Sequence, residues 1–384
     1  MTLLLALHRV GPYHHARFAQ AARHMPLEVL ETRPASAEYP WCFQPDAVYP
    51  IHQLAGHPLP EADPPLASLD HQLRHLLQHR RPAVIVSVGW ADRAYQRLLL
   101  AAHRQRIPLV IVSDSRQRDA PRSPAQEWLK RQLLRGYASA LVAGSESRAY
   151  LEHLGLPREA IFQPWDVVDN AFFGSAAAQA PPADHPYFLC VSRLVAKKNH
   201  HTLLAAYGAY QQQGGRWGLC LVGGGLLAPA IQAWIAALPD PERVQLLPFC
   251  QLEPLGRLYG QAQAFVLASS SDQWGLVVNE AIAAGLPCLV SSACGCTADL
   301  IEHSVSGWCF DPHDPAALAA LMHAAERQSP AARASMVAAA QGRLEPFSPA
   351  GFAAGLQQAV QHASRQPRFS RRAALVARLL SHRP

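Results

Sequence analysis

Short runs of apolar residues alternate along this chain with longer segments in which apolar positions recur every three or four residues. The first pattern predicts buried strands, the second helices, and their alternation predicts parallel sheets covered by helices, an α/β protein. In the first half the strands fall near 3–7, 27–31, 83–88, 108–113 and 139–143, with helices such as 124–136 and 146–154 between them. Pro12 follows Gly11 and suits the first position of a helix running to about 24, because its fixed φ and missing N–H cost nothing there. A second series places strands at 187–191, 217–222, 243–247, 263–268 and 287–291.

Between the two series, residues 174–186 read Gly-Ser-Ala-Ala-Ala-Gln-Ala-Pro-Pro-Ala-Asp-His-Pro, small and proline-rich, which predicts a linker. The expected organisation is an N-terminal unit 1–173, the linker 174–186, a C-terminal unit 187–364, and a terminal helix 365–384 that completes the N-terminal unit. Two such units imply a cleft, and parallel sheets bind ligands beyond the carboxyl ends of their strands.

With 49% hydrophobic and 16% charged residues among 384, the chain has material for two cores. No run approaches the ~18 apolar residues that would span a bilayer. The opening Thr2-Leu3-Leu4-Leu5-Ala6-Leu7 lacks the basic residues and length of a signal peptide and reads as a first buried strand. Eight cysteines are scattered, several inside apolar runs such as Phe188-Leu189-Cys190-Val191, so they are expected to act as small buried hydrophobes in a reducing cytoplasm. The net charge of +6 matches the six arginines at 365, 368, 371, 372, 378 and 383, in a tail without a single acid. A nucleic-acid binder would spread such charge and interleave aromatics, whereas this tail holds only Phe369. Leu375, Val376, Leu379 and Leu380 give the tail an apolar side. Two readings stay open: a helix packed on the body with a solvated basic face, or one that lies on an anionic membrane surface at the inner face.

Three features of the second series carry candidate chemistry, each at the carboxyl end of a predicted strand. The first is Ser192-Arg193-Leu194-Val195-Ala196-Lys197-Lys198-Asn199, ahead of a helix near His200. Guanidinium and ammonium groups beside a helix N-terminus suit a diphosphate; surface cations in loops are also common. The second is Val222-Gly223-Gly224-Gly225-Leu226, where glycine admits close backbone approach to a ligand and where a plain tight turn serves equally well. The third runs from Asp272-Gln273-Trp274-Gly275-Leu276-Val277-Val278-Asn279-Glu280 to Gly285-Leu286-Pro287. Asp272 falls in a loop and Glu280 inside an apolar helix starting near Gly275, where a carboxylate needs a partner. Sugar hydroxyls would serve, as would a nearby arginine or backbone amides.

Together these motifs resemble the retaining glycosyltransferases of family 4, the glycosyl transferases group 1, which have the GT-B fold of two Rossmann-like domains facing across a cleft. The likeness is clearest over 187–312, through S-R-L-V-A-K-K-N, L-V-G-G-G, D-Q-W-G-L-V-V-N-E-A-I-A-A-G-L-P and S-G-W-C-F-D-P-H-D-P. It extends to Gly11-Pro12-Tyr13-His14-His15-Ala16-Arg17, Ser113-Asp114-Ser115-Arg116, Gly144-Ser145 and Asp166-Val167-Val168-Asp169-Asn170.

The resemblance implies that Arg193 and Lys198 neutralise the diphosphate of a nucleotide-sugar donor, that Glu280 holds its ribose, and that Asp272 contacts the transferred sugar. The family usually has Glu at that last position, one methylene longer. Gly11, Gly223, Gly224, Trp274, Gly275, Leu276, Val277 and Gly295 are expected to line the donor site, with the amides of 275–277 near the diphosphate. The implied reaction is front-face transfer with retained anomeric configuration to a glycan or lipid-linked acceptor, in polysaccharide biosynthesis. Its charge build-up on the leaving diphosphate would be stabilised electrostatically. No cofactor or metal is expected: there is no DxD motif, and Cys294-Gly295-Cys296 is spaced too closely for zinc pairing and suits a loop-shaping turn. Strand four ends Val88-Gly89-Trp90 without the histidine many relatives carry there; His14, His15 and Arg17 are candidates from the first loop. Two other readings stand beside this one: a non-catalytic GT-B relative that binds a nucleotide sugar or partner enzyme, and an epimerase of nucleotide sugars.

Overall fold

The computed structural model describes residues 2–33, 42–43, 45–46, 48–54 and 65–382. The chain forms two compact units, Met1–Val167 with Pro349–Pro384, and Val168–Ser348.

The first unit is built on a seven-stranded sheet: β1 (Leu3–Leu7), β2 (Leu27–Glu31), β3 (Ile51–Gln53), β4 (Val84–Val88), β5 (Leu109–Ser113), β6 (Ser139–Val142) and β7 (Ile161–Phe162). Their order is β3-β2-β1-β4-β5-β6-β7, and neighbours run parallel throughout. The second unit has β8 (Tyr187–Val191), β9 (Gly218–Val222), β10 (Val244–Leu247), β11 (Ala264–Leu267), β12 (Cys288–Ser291) and β13 (Trp308–Phe310). These are ordered β10-β9-β8-β11-β12-β13, again parallel. Central strands such as β1 and β11 are buried along their whole length, as expected where helices cover both faces. In each sheet the connection order reverses once, between β1 and β4 and between β8 and β11, and a reversal leaves a crevice beyond the strand ends.

All ten strands anticipated from apolar runs are present within a residue or so at each end. The edge strands β3, β7 and β13 were not anticipated; at two or three residues they are too short to show a period. The stretch read as linker begins inside a helix, Asn170–Ala178, which Asp169 caps by accepting from the Phe172 amide at 3.0 Å. Its alanines are strong helix formers, which outweighs the small-residue composition. The helix Pro349–Arg365 packs in the first unit: Phe352 lies against Phe18 and Trp165, and Ser139 Oγ donates to the Ala359 carbonyl at 2.7 Å. The terminal helix Arg371–Ser381 follows, burying Ala373, Val376 and Ala377. Arg383 lies outside the described residues.

Candidate functional site

The site of interest is the crevice at the β8/β11 reversal. The loop after β8 runs against the glycine loop after β9: the Ser192 amide donates to the Val222 carbonyl at 3.0 Å and the Leu194 amide to the Gly224 carbonyl at 2.9 Å. This contact explains the glycines. A Cβ on Gly223 would stand 1.9 Å from the Ser192 oxygen, and one on Gly225 would stand 2.5 Å from the Leu194 oxygen. Gly223 and Gly225 therefore serve loop-on-loop packing, while Gly224 is exposed with open space about it. Gly223→Ala is expected to destabilise the protein by about 3 kcal/mol or more, since rigid backbone occupies the new methyl's position. Gly224→Ala should cost under ~1 kcal/mol. Urea denaturation of the two variants checks the contrast, and equal losses would contradict it.

Lys198 closes a short 3-10 turn, Ala196–Lys198, and forms an ion pair with Asp272. Both side chains are largely withdrawn from solvent. Asn199, which the motif reading left without a role, locks this arrangement. Its left-handed backbone (φ 56°) starts the helix His200–Gln212, and its Nδ2 donates to the carbonyls of Ala268 at 3.1 Å and Pro312 at 2.8 Å. The β8 loop is thereby tied to the end of β11 and to the loop after β13. Arg193 lies half-buried in the same β8 loop.

The Asp272 loop is joined in turn to the loop after β12. Gly295 N donates to the Asp272 carbonyl at 2.9 Å, and Cys296 N to the Trp274 carbonyl at 3.0 Å. Gly295's amide is thus occupied in holding Asp272. Gly275 has φ 104°, which glycine tolerates, and caps the helix Leu276–Ala283; its Cβ position lies 3.8 Å from Asp272 Oδ2. Lys198, bound to that same oxygen, is therefore close to the helix N-terminus, where Leu276 and Val277 are partly exposed. Trp274 does not present its ring as a ligand surface. The indole is buried, donating to Asn279 Oδ1 at 3.0 Å and stacking on Phe347 at 5.0 Å, because the apolar ring is better placed in the core. Cys294 and Cys296 are buried, and burial pushes the Cys296 thiol well up, so it stays protonated and packs as an apolar group.

Glu280 is fully buried, and its partner is the Tyr259 hydroxyl, which donates to Oε2 at 2.7 Å. The sequence offered an arginine, amides or sugar hydroxyls as partners. Tyr259 sits on a different helix, Leu252–Gln261, and carries no motif that would have flagged it.

His200 is a second residue that the motif reading passed over. Its Nε2 lies 3.0 Å from Ser192 Oγ, and burial together with Lys198 lowers its pKa from 6.5 to about 4. The unfolded chain therefore binds this proton first as pH falls. Stability from this group is whole above about pH 6.5 and is lost as pH drops toward about 4, by up to ~3 kcal/mol. Urea midpoints followed from neutral pH into that window should fall less steeply for His200→Gln than for the parent. Parallel curves would refute the assignment.

In the first unit, Gly11 caps the helix Pro12–Ala22, and its amide donates to His14 Nδ1 at 3.2 Å. Burial and Arg17 hold His14 well below its ordinary pKa, so it is a neutral capping group. His15 Nδ1 pairs with the Tyr49 hydroxyl at 3.0 Å. Arg17, the third candidate from the first loop, is 1% exposed: it donates to the Tyr13 and Trp165 carbonyls and stacks 4.5 Å over the Trp165 ring. A guanidinium so enclosed is a structural pin, and burial lowers its pKa to about 10 while leaving it charged at neutral pH. Asp114 and Arg116 of the loop after β5 are tied into the fold by Ser147 Oγ donating to the Asp114 carbonyl at 2.9 Å and by Arg116 pairing with Asp119 and Glu146.

Comparison with known proteins places these observations. Residues 175–343 match the family model described as glycosyl transferases group 1. The amylovoran biosynthesis glycosyltransferase AmsK of Erwinia amylovora is 36% identical over 140 residues, 35% of this chain and 34% of that protein. A D-inositol 3-phosphate glycosyltransferase of Frankia alni is 33% identical over 142 residues, 37% of this chain and 34% of the relative. The aligned stretch thus spans about a third of the length of these curated relatives. Among solved structures, Anabaena Alr3699/HepE in complex with UDP and glucose superposes with a TM-score of 0.73 at 17% identity, covering 94% of this chain and 99% of that one. Sucrose-phosphate synthase (tll1590) of Thermosynechococcus elongatus gives 0.72 at 18%, covering 94% and 98%. At such identities the likeness concerns the fold, which is GT-B, two parallel-sheet α/β units. Among the described residues no helix is long and apolar enough to cross a membrane.

Proposed function

We propose that this chain, whose residues 175–343 match the family model of glycosyl transferases group 1, transfers a sugar from a nucleotide-diphosphate donor, with retention of configuration and without a metal. The observation that carries this reading is the Lys198–Asp272 pair set beside the N-terminus of helix Leu276–Ala283 at the β8/β11 reversal. An ammonium and a helix start together make an anion site, because the first-turn N–H groups have no partner within the helix and the dipole adds positive potential.

In this reading the donor diphosphate takes Lys198 from Asp272. The Asp272 carboxylate, released from the ammonium, accepts hydrogen bonds from hydroxyls of the transferred sugar. The shorter acid thereby has two states, ion-paired when the site is empty and sugar-bound when filled. Arg193, Lys198 and the helix start then stabilise the charge that develops on the departing diphosphate as the sugar bond breaks. Glu280 holds the ribose, and Gly224, Leu276 and Val277 offer backbone to the nucleotide. The acceptor is a glycan or lipid-linked glycan, in line with the biosynthetic name of AmsK. That the cysteines among the described residues are not joined in disulfides supports a reducing, cytoplasmic setting.

Uridine, guanosine and adenosine diphosphates, tested in a thermal-shift series, should include one that stabilises the protein by about 2.7 kcal/mol at a hundredfold excess over Kd. HepE makes the uridine compound the first to test. Incubation with the matching nucleotide sugar should then release free nucleoside diphosphate. Tight binding without release, acceptors included, would favour the non-catalytic alternative, which draws on the same ion pair as a locked state. No stabilisation by any diphosphate would defeat both.

A further inference from the structure

The terminal helix Arg371–Ser381 buries one side against the first unit through Ala373, Val376, Ala377 and Ser381. Its opposite side is unusual for a surface helix. Leu375 is 59% exposed and Leu379 62%, and the four-residue spacing sets them about 40° apart around the axis. Arg371 and Arg378 lie about 40–60° to one side of Leu375, and Arg372 lies about 20° beyond Leu379 on the other side. All three arginines are exposed, and the helix carries no acid. Helix Pro124–Leu134 packs against this helix and adds Trp128, 56% exposed, with the exposed Arg131 and Arg135 three and seven positions on.

We propose that this face docks the first unit on an anionic lipid bilayer, Leu375 and Leu379 entering the acyl boundary and the arginines reaching headgroup phosphates. The inference stands independently of the transferase reading. Two leucines bordered by guanidiniums on both sides reproduce what an interfacial helix requires: an apolar strip that gains by leaving water and long cationic side chains that bend to the phosphate plane. Trp128, on the helix packed against this one, adds an exposed indole, the side chain most at home at that depth. A second copy of the chain is a poor occupant, because two such faces would bring at least six arginines together with no acid from this helix to meet them.

The full chain is sedimented with phosphatidylcholine vesicles, with and without about a third phosphatidylglycerol. We expect binding to the anionic vesicles, little to the neutral ones, and weakening as salt rises. Leu375→Asn with Leu379→Asn should weaken binding at least about tenfold, through lost apolar burial. Arg371→Gln, Arg372→Gln and Arg378→Gln together should weaken it by a similar factor or more. Both sets replace exposed side chains, and unchanged thermal melting would verify intact folding. The proposal is overturned if anionic vesicles are not bound at low salt, if neutral vesicles bind equally, or if the variants bind as the parent does. It is also overturned if the leucine pair proves to hold a dimer in size-exclusion chromatography, or if duplex DNA is bound more tightly than the vesicles.

Discussion

Lys198→Ala is expected to lower kcat/KM for the nucleotide sugar on the order of 10³-fold, with most of the loss in kcat. The ammonium lies close to the helix start, and in the proposed reaction its interaction with the diphosphate strengthens as the sugar bond breaks and charge accumulates. The substitution has a second consequence in the empty site: Asp272, only 9% exposed, loses its cation. Breaking such a withdrawn pair from one side costs about 3 kcal/mol, because the remaining charge is left poorly solvated. Pairing Lys198→Ala with Asp272→Asn should recover most of that stability and none of the turnover. Asp272→Asn alone should tighten binding of the free nucleoside diphosphate, since the competitor for Lys198 is gone, while reducing transfer. Donor affinity and turnover within about threefold of the parent in Lys198→Ala would end the diphosphate assignment.

Glu280→Ala should weaken nucleoside diphosphate binding about a hundredfold and cost about 3 kcal/mol of stability. The two losses have different origins. The carboxylate accepts from Tyr259 in the buried helix layer, so its removal leaves the hydroxyl the longer contact to the Val277 carbonyl at 3.3 Å and opens a void. The proposed ribose contact is separate, and Tyr259→Phe isolates the first effect: it deletes the hydrogen bond, about 1–2 kcal/mol, and leaves the Glu280 carboxyl in place. Calorimetric affinities and urea midpoints for both variants discriminate the roles. If Glu280→Ala weakened the nucleotide no more than Tyr259→Phe does, Glu280 would be a structural acid and the ribose would lie elsewhere.

The chemistry of the site was readable to the extent that it was local. Arg193 and Lys198 at a strand–helix junction, glycines after the next strand, and two acids eight positions apart are all patterns within a dozen residues. They stood out because an α/β sheet sends every βα loop to the same end. What each residue does there was not readable. Lys198 and Asp272 are 74 positions apart, Asn199 and Pro312 113, and Glu280 and Tyr259 21, on a helix that shows no motif. The surroundings of Trp274 and Arg17 were unreadable for one shared reason. A large side chain in a loop motif is equally compatible with a ligand and with the core, and only the neighbours decide.

By itself, then, the amino-acid order determined the α/β class, ten of the thirteen strands among the described residues, and the start of the helix that carries Glu280, because apolar period and helix-start chemistry act over a few residues. Tertiary structure decided the rest. It converted Gly223 and Gly225 into packing positions, closed Lys198 on Asp272, gave Glu280 a tyrosine, and made a helix of the alanines at 176–178. It also assigned Pro349–Arg365 to the first unit and left Leu375 and Leu379 facing outward. The physical reason is the same in each case. Burial and pairing are properties of surfaces brought together by the fold, and a surface has no counterpart in a window of sequence.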